Sequence, residues 1–291
     1  MLYRCYAKIN FTLEILGKRT DGFHELASLV HTVSLADDLR IEAAEELVTC
    51  VEGLDIDPAT NLVTRAAELL AARIGVHRGA ELSLVKRIPA AAGLGGGSSD
   101  AATTLVGLNA LWHARLSSAS LAGLAGGLGS DIPFFIRGGA ALMRGRGENL
   151  RMLSPWVGQW LVLVVPPHEI AGKTRRLYSA LEPGDFTSGA MTERVATKLT
   201  RDEPIDPSEL INGFERAARQ VFPRLAETWT HAERVCNTKF FLSGAGPALF
   251  ALAADRADSR RLVERLESID AAAHAVRTVK HARTASRMGY P

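Results

Sequence analysis

The sequence predicts an α+β protein of two domains, one over residues 1–155 and one over 156–291. Three observations predict it. Strand-like stretches open the chain, and a strand, a glycine cluster and a helix follow one another between Ala80 and Trp112. The second half reads as strand, helices, two strands around a glycine turn, helix and strand, close to the split βαβ order of ferredoxin-like domains. With 291 residues, 47% of them hydrophobic, the chain is long and apolar enough to bury a large core.

Each element has its own signal. INFTLEIL (9–16) and ASLVHTVSLADDLRIEA (27–43) carry β-branched or alternating apolar residues and read as strands. Over 60–75, Leu62, Val63, Ala66, Leu69 and Leu70 recur near a helical period that closes on Gly75, a residue suited to a C-cap. AELSLVKRI is a strand that runs straight into the glycine cluster, after which Ala101, Ala102, Leu105, Leu108, Leu111 and Trp112 return at helical spacing. A second short helix, LAGLAGGLG, leads to SDIPFF and the strand-like GGAALMRG. The pattern weakens around Pro155, which places the domain boundary there.

The second domain opens with the buried strand WLVLVV and continues with helices over 208–221 and 225–235. FFLSGAGPALFALA supplies two strands around a glycine turn, followed by a helix over 255–268 and the strand HAVRTV. The basic tail KHARTASRMGYP extends past that last strand.

Composition excludes several classes. Lys and Arg number 34 against 32 Asp and Glu, so no global excess of charge favours a nucleic acid or a membrane surface. Cys5, Cys50 and Cys236 are odd in number and far apart, which fits neither a disulfide framework nor a zinc motif and points to a reducing compartment. MLYRCYAKIN lacks the apolar core of a signal peptide, and WLVLVVPP is too short to cross a bilayer. The expectation is a soluble cytoplasmic protein whose default partner is not a nucleic acid. Oligomeric state has no signature here.

The densest signal is RIPAAAGLGGGSSDAATTL, in which four of the five residues from 93 to 97 are glycine. Glycine loses more backbone freedom on folding than any other residue, so such a cluster needs a reason. A helix begins with backbone N–H groups that lack intrahelical partners, and its dipole favours negative charge there. Glycines just before that start let the backbone approach a polyphosphate, and Ser98 and Ser99 add hydroxyl donors. A P-loop is excluded because no lysine follows the glycines. A dinucleotide fingerprint fits only if Ser98 replaces its third glycine, and the loop lies some way into the chain rather than after its first strand.

PAAAGLGGGSSDAATTL resembles the central motif of the GHMP small-molecule kinases. Four further segments extend the resemblance in order: YAKINFTLEILGKRTDGFHEL, LGSDIPFFIRGGAALMRGRGE, INGFE and FLSGAGPALFAL. It implies the two-domain GHMP kinase fold, with an N-terminal mixed α/β domain like ribosomal protein S5 domain 2 and a C-terminal ferredoxin-like domain. It further implies ATP as phosphate donor, with Mg²⁺. The long GLGGGSSDAA loop and DGFHEL look like the branch whose acceptor is a cytidine-diphosphate-linked methylerythritol, in non-mevalonate isoprenoid synthesis. The rivals are a GHMP kinase for mevalonate or homoserine, whose acceptors carry no cytosine, and a nucleotide-binding or RNA-binding protein on the same scaffold.

Residue roles follow from the matched motifs. The loop Pro89, Ala90, Ala91, Ala92, Gly93, Leu94, Gly95, Gly96, Gly97, Ser98 and Ser99 would wrap the ATP phosphates, with Asn61 and Lys86 bordering adenine. A valine at Gly96 is expected to weaken ATP by filling space the phosphates need. Asp131 matches the proposed catalytic base and Lys8 the lysine beside it, an opposite charge that favours the ionised carboxylate. Read alone, Asp131 also suits a helix N-cap before Pro133, and Lys8 a solvated strand lysine. Phe23 and His24 match an aromatic–histidine pair that holds cytosine, with Phe23 standing where many members carry tyrosine. Tyr178 would cover the other face of the base, or be an ordinary helix-surface tyrosine. Asn10 would contact the acceptor, or be a buried turn amide. SGAGP (243–247) matches a third glycine motif that packs on the phosphate loop, and by itself reads as a hairpin turn. No Mg²⁺ ligand is assigned; Ser99 and Asp131 are the candidates.

Overall fold

The computed structural model describes residues 1–54, 57, 60–75, 78–167 and 170–280. The tail from 281 onward, read above as extending past the last strand, lies outside the described residues. Two sheets organise the chain, one of seven strands and one of four. Among the described residues no helix is long and apolar enough to cross a membrane.

In the first sheet β1 (Leu2–Lys18) and β2 (His24–Ala44) form a long antiparallel hairpin that pairs Lys8 with Thr32. β3 (Leu47–Glu52) was not expected: its alternating side chains are half-exposed or exposed, so little apolar signal marks it. Next comes α1 (Leu62–Ile74), which Asn61 caps by accepting a bond from the Val63 amide at 2.9 Å, and Gly75 closes it at φ 64°. β4 (Gly79–Val85) follows. It pairs with the second half of β2 and lies parallel to β3.

α2 (Gly96–Leu111) starts inside the glycine cluster, so Gly96 and Gly97 form its first turn and Gly95, at φ 72°, caps it without a side chain. α3 (Ser118–Ala125) is capped by Ser117. SDIPFF proves to contain a helix, α4 (Ile132–Arg137), where proline occupies a first-turn position that needs no N–H. β5 (Ala140–Gly145) pairs with the first half of β2, and β6 (Asn149–Leu153) pairs with β5. Opposite β1, β2 thus serves two partners along its length. The proposed division at 155/156 falls in the connection from β6 to the second sheet.

That sheet begins with β7 (Trp160–Val165) and leads to α5 (Lys173–Ser179) and α6 (Ala190–Thr200). The helix expected over 208–221 is shorter. Residues 207–209 make a single tight turn, β8 (Ile211–Asn212) adds a parallel strand to β1, and only then does α7 (Glu215–Val221) start. Asn212 explains the break: its amide donates to the Leu242 and Gly244 carbonyls at 2.8 and 2.9 Å, and its oxygen accepts from the Phe214 amide at 2.9 Å. A helix through Asn212 would forfeit those bonds. α8 (Pro223–Cys236), β9 (Phe241–Leu242), β10 (Leu249–Ala253), α9 (Arg256–Leu266) and β11 (Ala272–Arg277) complete the chain. The strand order β11-β7-β10-β9 is antiparallel throughout, the ferredoxin-like arrangement expected from the element order.

Candidate active site

The start of α2 is the floor of a cleft of about 370 Å³ lined by Pro89 to Gly93, Gly95 to Ser98, Asn61, Lys86 and Asp100. Because Gly95 has no side chain to cap α2, the first amides of the helix are left for a ligand. Leu94 and Ser99 are turned inward instead, each 1% exposed. The second glycine turn packs on this loop: the Ala248 amide donates to the Ala92 carbonyl at 3.0 Å, and the Ser243 hydroxyl to the Gly93 carbonyl at 3.3 Å.

The reason given above for Gly96 is corrected by this geometry. A Cβ there would meet Ile88 Cγ2 at 3.0 Å and Lys86 Nζ at 3.3 Å, within the protein rather than toward a phosphate. The glycine lets the helix start pack against β4's exit.

Lys86, expected to border adenine, is not an uncommitted cation. Its side chain is 7% exposed, and its ammonium lies 2.5 Å from Asp37 Oδ2 and 2.6 Å from Asp100 Oδ2. Asp37 also accepts from the Arg87 and Ile88 amides, at 2.5 and 2.7 Å, so the triad fixes the strand-to-loop junction. Burial works against the Lys86 charge, but attraction to Asp100 and Asp37 outweighs it and raises the pKa. Two carboxylates share this one ammonium. Burial above all, with repulsion from Asp37 and against the pull of Lys86, pushes Asp100 up to about 7.

A pH dependence follows. In the unfolded chain the Asp100 carboxyl titrates near 3.8, whereas the fold retains its proton to about 7. Between those values the folded state binds more protons, so this group's contribution to stability falls as pH rises and levels off above about 7. Asp100→Asn is expected to reduce the stability difference between pH 5 and pH 8, measured by urea unfolding. An unchanged difference in the variant would remove Asp100 as its source.

Lys8 and Asp131 meet beside the loop. The Lys8 ammonium lies 3.6 Å from Asp131 Oδ2, with side-chain exposures of 8% and 37%. Lys8 is therefore held within the protein while the carboxylate reaches the solvent side. Asn10 Oδ1 accepts from Lys8 Nζ at 2.7 Å, and Asn10 Nδ2 donates to Ser28 Oγ at 2.7 Å. Asn10 is thus a buried strand amide aimed at Lys8 and does not line the second cleft described next. Asp131 occupies the cap position of α4, yet its side chain makes no capping bond. Capping does not account for its carboxylate.

A second cleft, of about 590 Å³, reaches this pair through Ser130, the neighbour of Asp131, which is among its lining residues. Phe23, His24 and Tyr178 line it together with Lys18, Arg146 and Arg175. Phe23 is 53% exposed and carries the Arg146 guanidinium 4.7 Å from its ring centre. Tyr178 stacks on His24 at 4.5 Å, which orients the imidazole, and Phe186 stands 6.3 Å from the same ring. Burial and the nearby Lys18 lower the His24 pKa, favouring the neutral ring near pH 7. Sequence reading missed the three cations and Phe186. They are scattered along the chain and form a set only once folded; the Arg-rich KTRR beside Tyr178 was the one local hint.

A cleft at a helix start, a lysine–carboxylate pair and a basic aromatic cleft on this fold define a small-molecule kinase of the GHMP class. The GHMP kinases N terminal domain family matches residues 61–139. A 4-diphosphocytidyl-2-C-methyl-D-erythritol kinase of Pelotomaculum thermopropionicum is 41% identical over 268 residues, 91% of this chain and 93% of that protein. The chain belongs to the 4-diphosphocytidyl-2-C-methyl-D-erythritol kinase family. A relative of the same name from Gloeobacter violaceus is 40% identical over 87% of this chain and 86% of its own length. The crystal structure of a 4-(cytidine 5'-diphospho)-2C-methyl-D-erythritol kinase matches with a TM-score of 0.81 at 35% identity, covering 96% of this chain and 99% of that one. A homoserine kinase from Cytophaga hutchinsonii matches at 0.73 with 16% identity, a likeness of fold alone.

Proposed function

We propose that the protein transfers the γ-phosphate of ATP to the 2-hydroxyl of 4-diphosphocytidyl-2-C-methyl-D-erythritol, in the cytoplasm. The observation that carries this reading is the basic aromatic cleft opening beside Lys8 and Asp131. A mevalonate or homoserine kinase has no use for a stacking face, an edge-reading histidine and three cations in one acceptor site.

Phosphoryl transfer asks the protein chiefly to align the acceptor with phosphorus and to stabilise spreading negative charge. In the proposed roles, the amides at the start of α2 hold the triphosphate, and Asn61 borders the base. Lys86 positions the cleft through its carboxylates. Phe23 offers a face to cytosine, His24 its edge, and Lys18, Arg146 and Arg175 offset the acceptor's diphosphate. Asp131 receives the hydroxyl proton as the oxygen attacks. Lys8, fixed by Asn10, offsets charge on the transferring group.

Magnesium would neutralise phosphate charge when bound. Among the described residues no group of three His, Cys, Asp or Glu forms a metal cage. The fit is therefore to a metal carried by phosphates and water, with the half-exposed Asp131 beside Lys8 as the candidate carboxylate; Ser99 is turned away from the cleft.

The test is ADP release with ATP and Mg²⁺, offering the cytidine compound, mevalonate or homoserine in turn. Release with the cytidine compound alone is expected. Release with mevalonate or homoserine instead would overturn the acceptor and leave the class intact.

A further inference from the structure

Helix α5 lines the second cleft and reaches the loop that lines the first. Its first residue, Lys173, sends its ammonium back to two backbone carbonyls, Ala91 in the phosphate loop and Gly246 in the second glycine turn. Later residues of the same helix, Thr174, Arg175 and Tyr178, line the acceptor cleft. Its far end is pinned, since Arg216 donates to the Ala180 carbonyl at 2.7 Å and Phe214 packs edge-on against Tyr178 at 4.9 Å.

We propose that Lys173 is a positioning residue that couples the two substrates, fastening the phosphate loop to the helix that forms one wall of the acceptor cleft. The proposal rests on the kinase reading above. Ala91 lines the nucleotide cleft at a positive φ of 49°, a conformation a non-glycine residue holds only when its surroundings impose it. The ammonium on its carbonyl is one such constraint. It also draws the two glycine turns together, because Gly246 accepts from the same nitrogen.

The coupling has a defined direction. A polyphosphate seated on the loop adds negative charge near the Lys173 ammonium, which favours the arrangement with the ammonium at the loop. That arrangement holds α5 where Tyr178 stacks on His24 and Arg175 faces the acceptor cleft. Nucleotide should therefore tighten acceptor binding, and by linkage acceptor should tighten nucleotide by the same factor. A seven-residue helix spans only about 10 Å, so few contacts separate the two ends.

The experiment measures calorimetric dissociation constants for the β,γ-imido analogue of ATP, without and with saturating 4-diphosphocytidyl-2-C-methyl-D-erythritol. In the wild-type protein the acceptor is expected to tighten the analogue about fivefold or more, the lower range of allosteric coupling. In Lys173→Met the ratio should fall toward one while the melting temperature stays near wild type. Lys173→Arg should recover part of it, because a guanidinium also donates to carbonyls. A role in stability alone would lower the melting temperature and leave the ratio intact. A wild-type ratio of one, or a Met variant that keeps the wild-type ratio, overturns the coupling. A wild-type protein that fails to bind the acceptor at all overturns the proposed function, and this proposal with it.

Discussion

Asp131→Ala is expected to lower the rate of phosphoryl transfer by about 10²–10⁴-fold, the range general acid–base groups supply, while nucleotide affinity changes little. The side chain is 37% exposed and caps no helix amide, so its removal opens no hole and uncaps no helix, and what it takes away is the carboxylate facing the Lys8 ammonium. Lys8 keeps its bond to Asn10 at 2.7 Å and stays in place. Nucleotide affinity rests on the amides at the start of α2, which the substitution does not touch. Single-turnover kinetics separate the chemical step from binding, and near-normal turnover would remove Asp131 from the mechanism. Asp131→Asn then divides the two roles a carboxylate can play here. An amide still accepts a hydrogen bond from the acceptor hydroxyl but takes no proton at neutral pH. If the transition state is loose, with the proton leaving late, the Asn variant should retain much of the rate. If proton removal is needed early, it should fall as far as the Ala variant.

What the sequence made legible was local. The apolar spacing that closes on Gly75, the glycine run, the helical spacing after it and the SGAGP turn between strands each carry their signal within about twenty residues, and α1, α2, β9 and β10 were found from them. What stayed hidden depends on distant partners. Lys86 read as a residue bordering adenine because nothing nearby reveals that Asp37, 49 residues earlier, and Asp100 hold its ammonium. β8 is two residues long and exists beside β1 because Asn212 is spent on the turn after β9. α4 entered only as an alternative, with Asp131 as an N-cap before Pro133, because its six residues are too few to show a helical period. The same holds for function. The matched motifs supplied Lys8, Asp131, Phe23 and His24, whose roles remain proposals. The basic lining of the acceptor cleft and the reach of Lys173 to the phosphate loop come from the fold.

Gly93→Val is expected to raise the KM for ATP by at least about tenfold, the larger of the loop effects. The position has φ +85°, where L side chains are strained by roughly 1–2 kcal/mol and β-branched ones suit least. A Cβ there would also lie 2.4 Å from the Ser243 carbonyl oxygen and 3.0 Å from that of Gly246. Both neighbours are backbone, so no side chain can swing aside. The loop must part from the second glycine turn, which breaks the Ala248 to Ala92 bond and the Ser243 to Gly93 bond that hold the two together. Amides that no longer converge cannot share one polyphosphate. Gly123→Ala is the matched control: its Cβ meets nothing within 4 Å, and alanine favours the helix α3 in which it stands. Steady-state kinetics with both variants decide the matter. A Gly93→Val enzyme with the KM of the control would mean that the two glycine turns do not need their close contact to hold ATP.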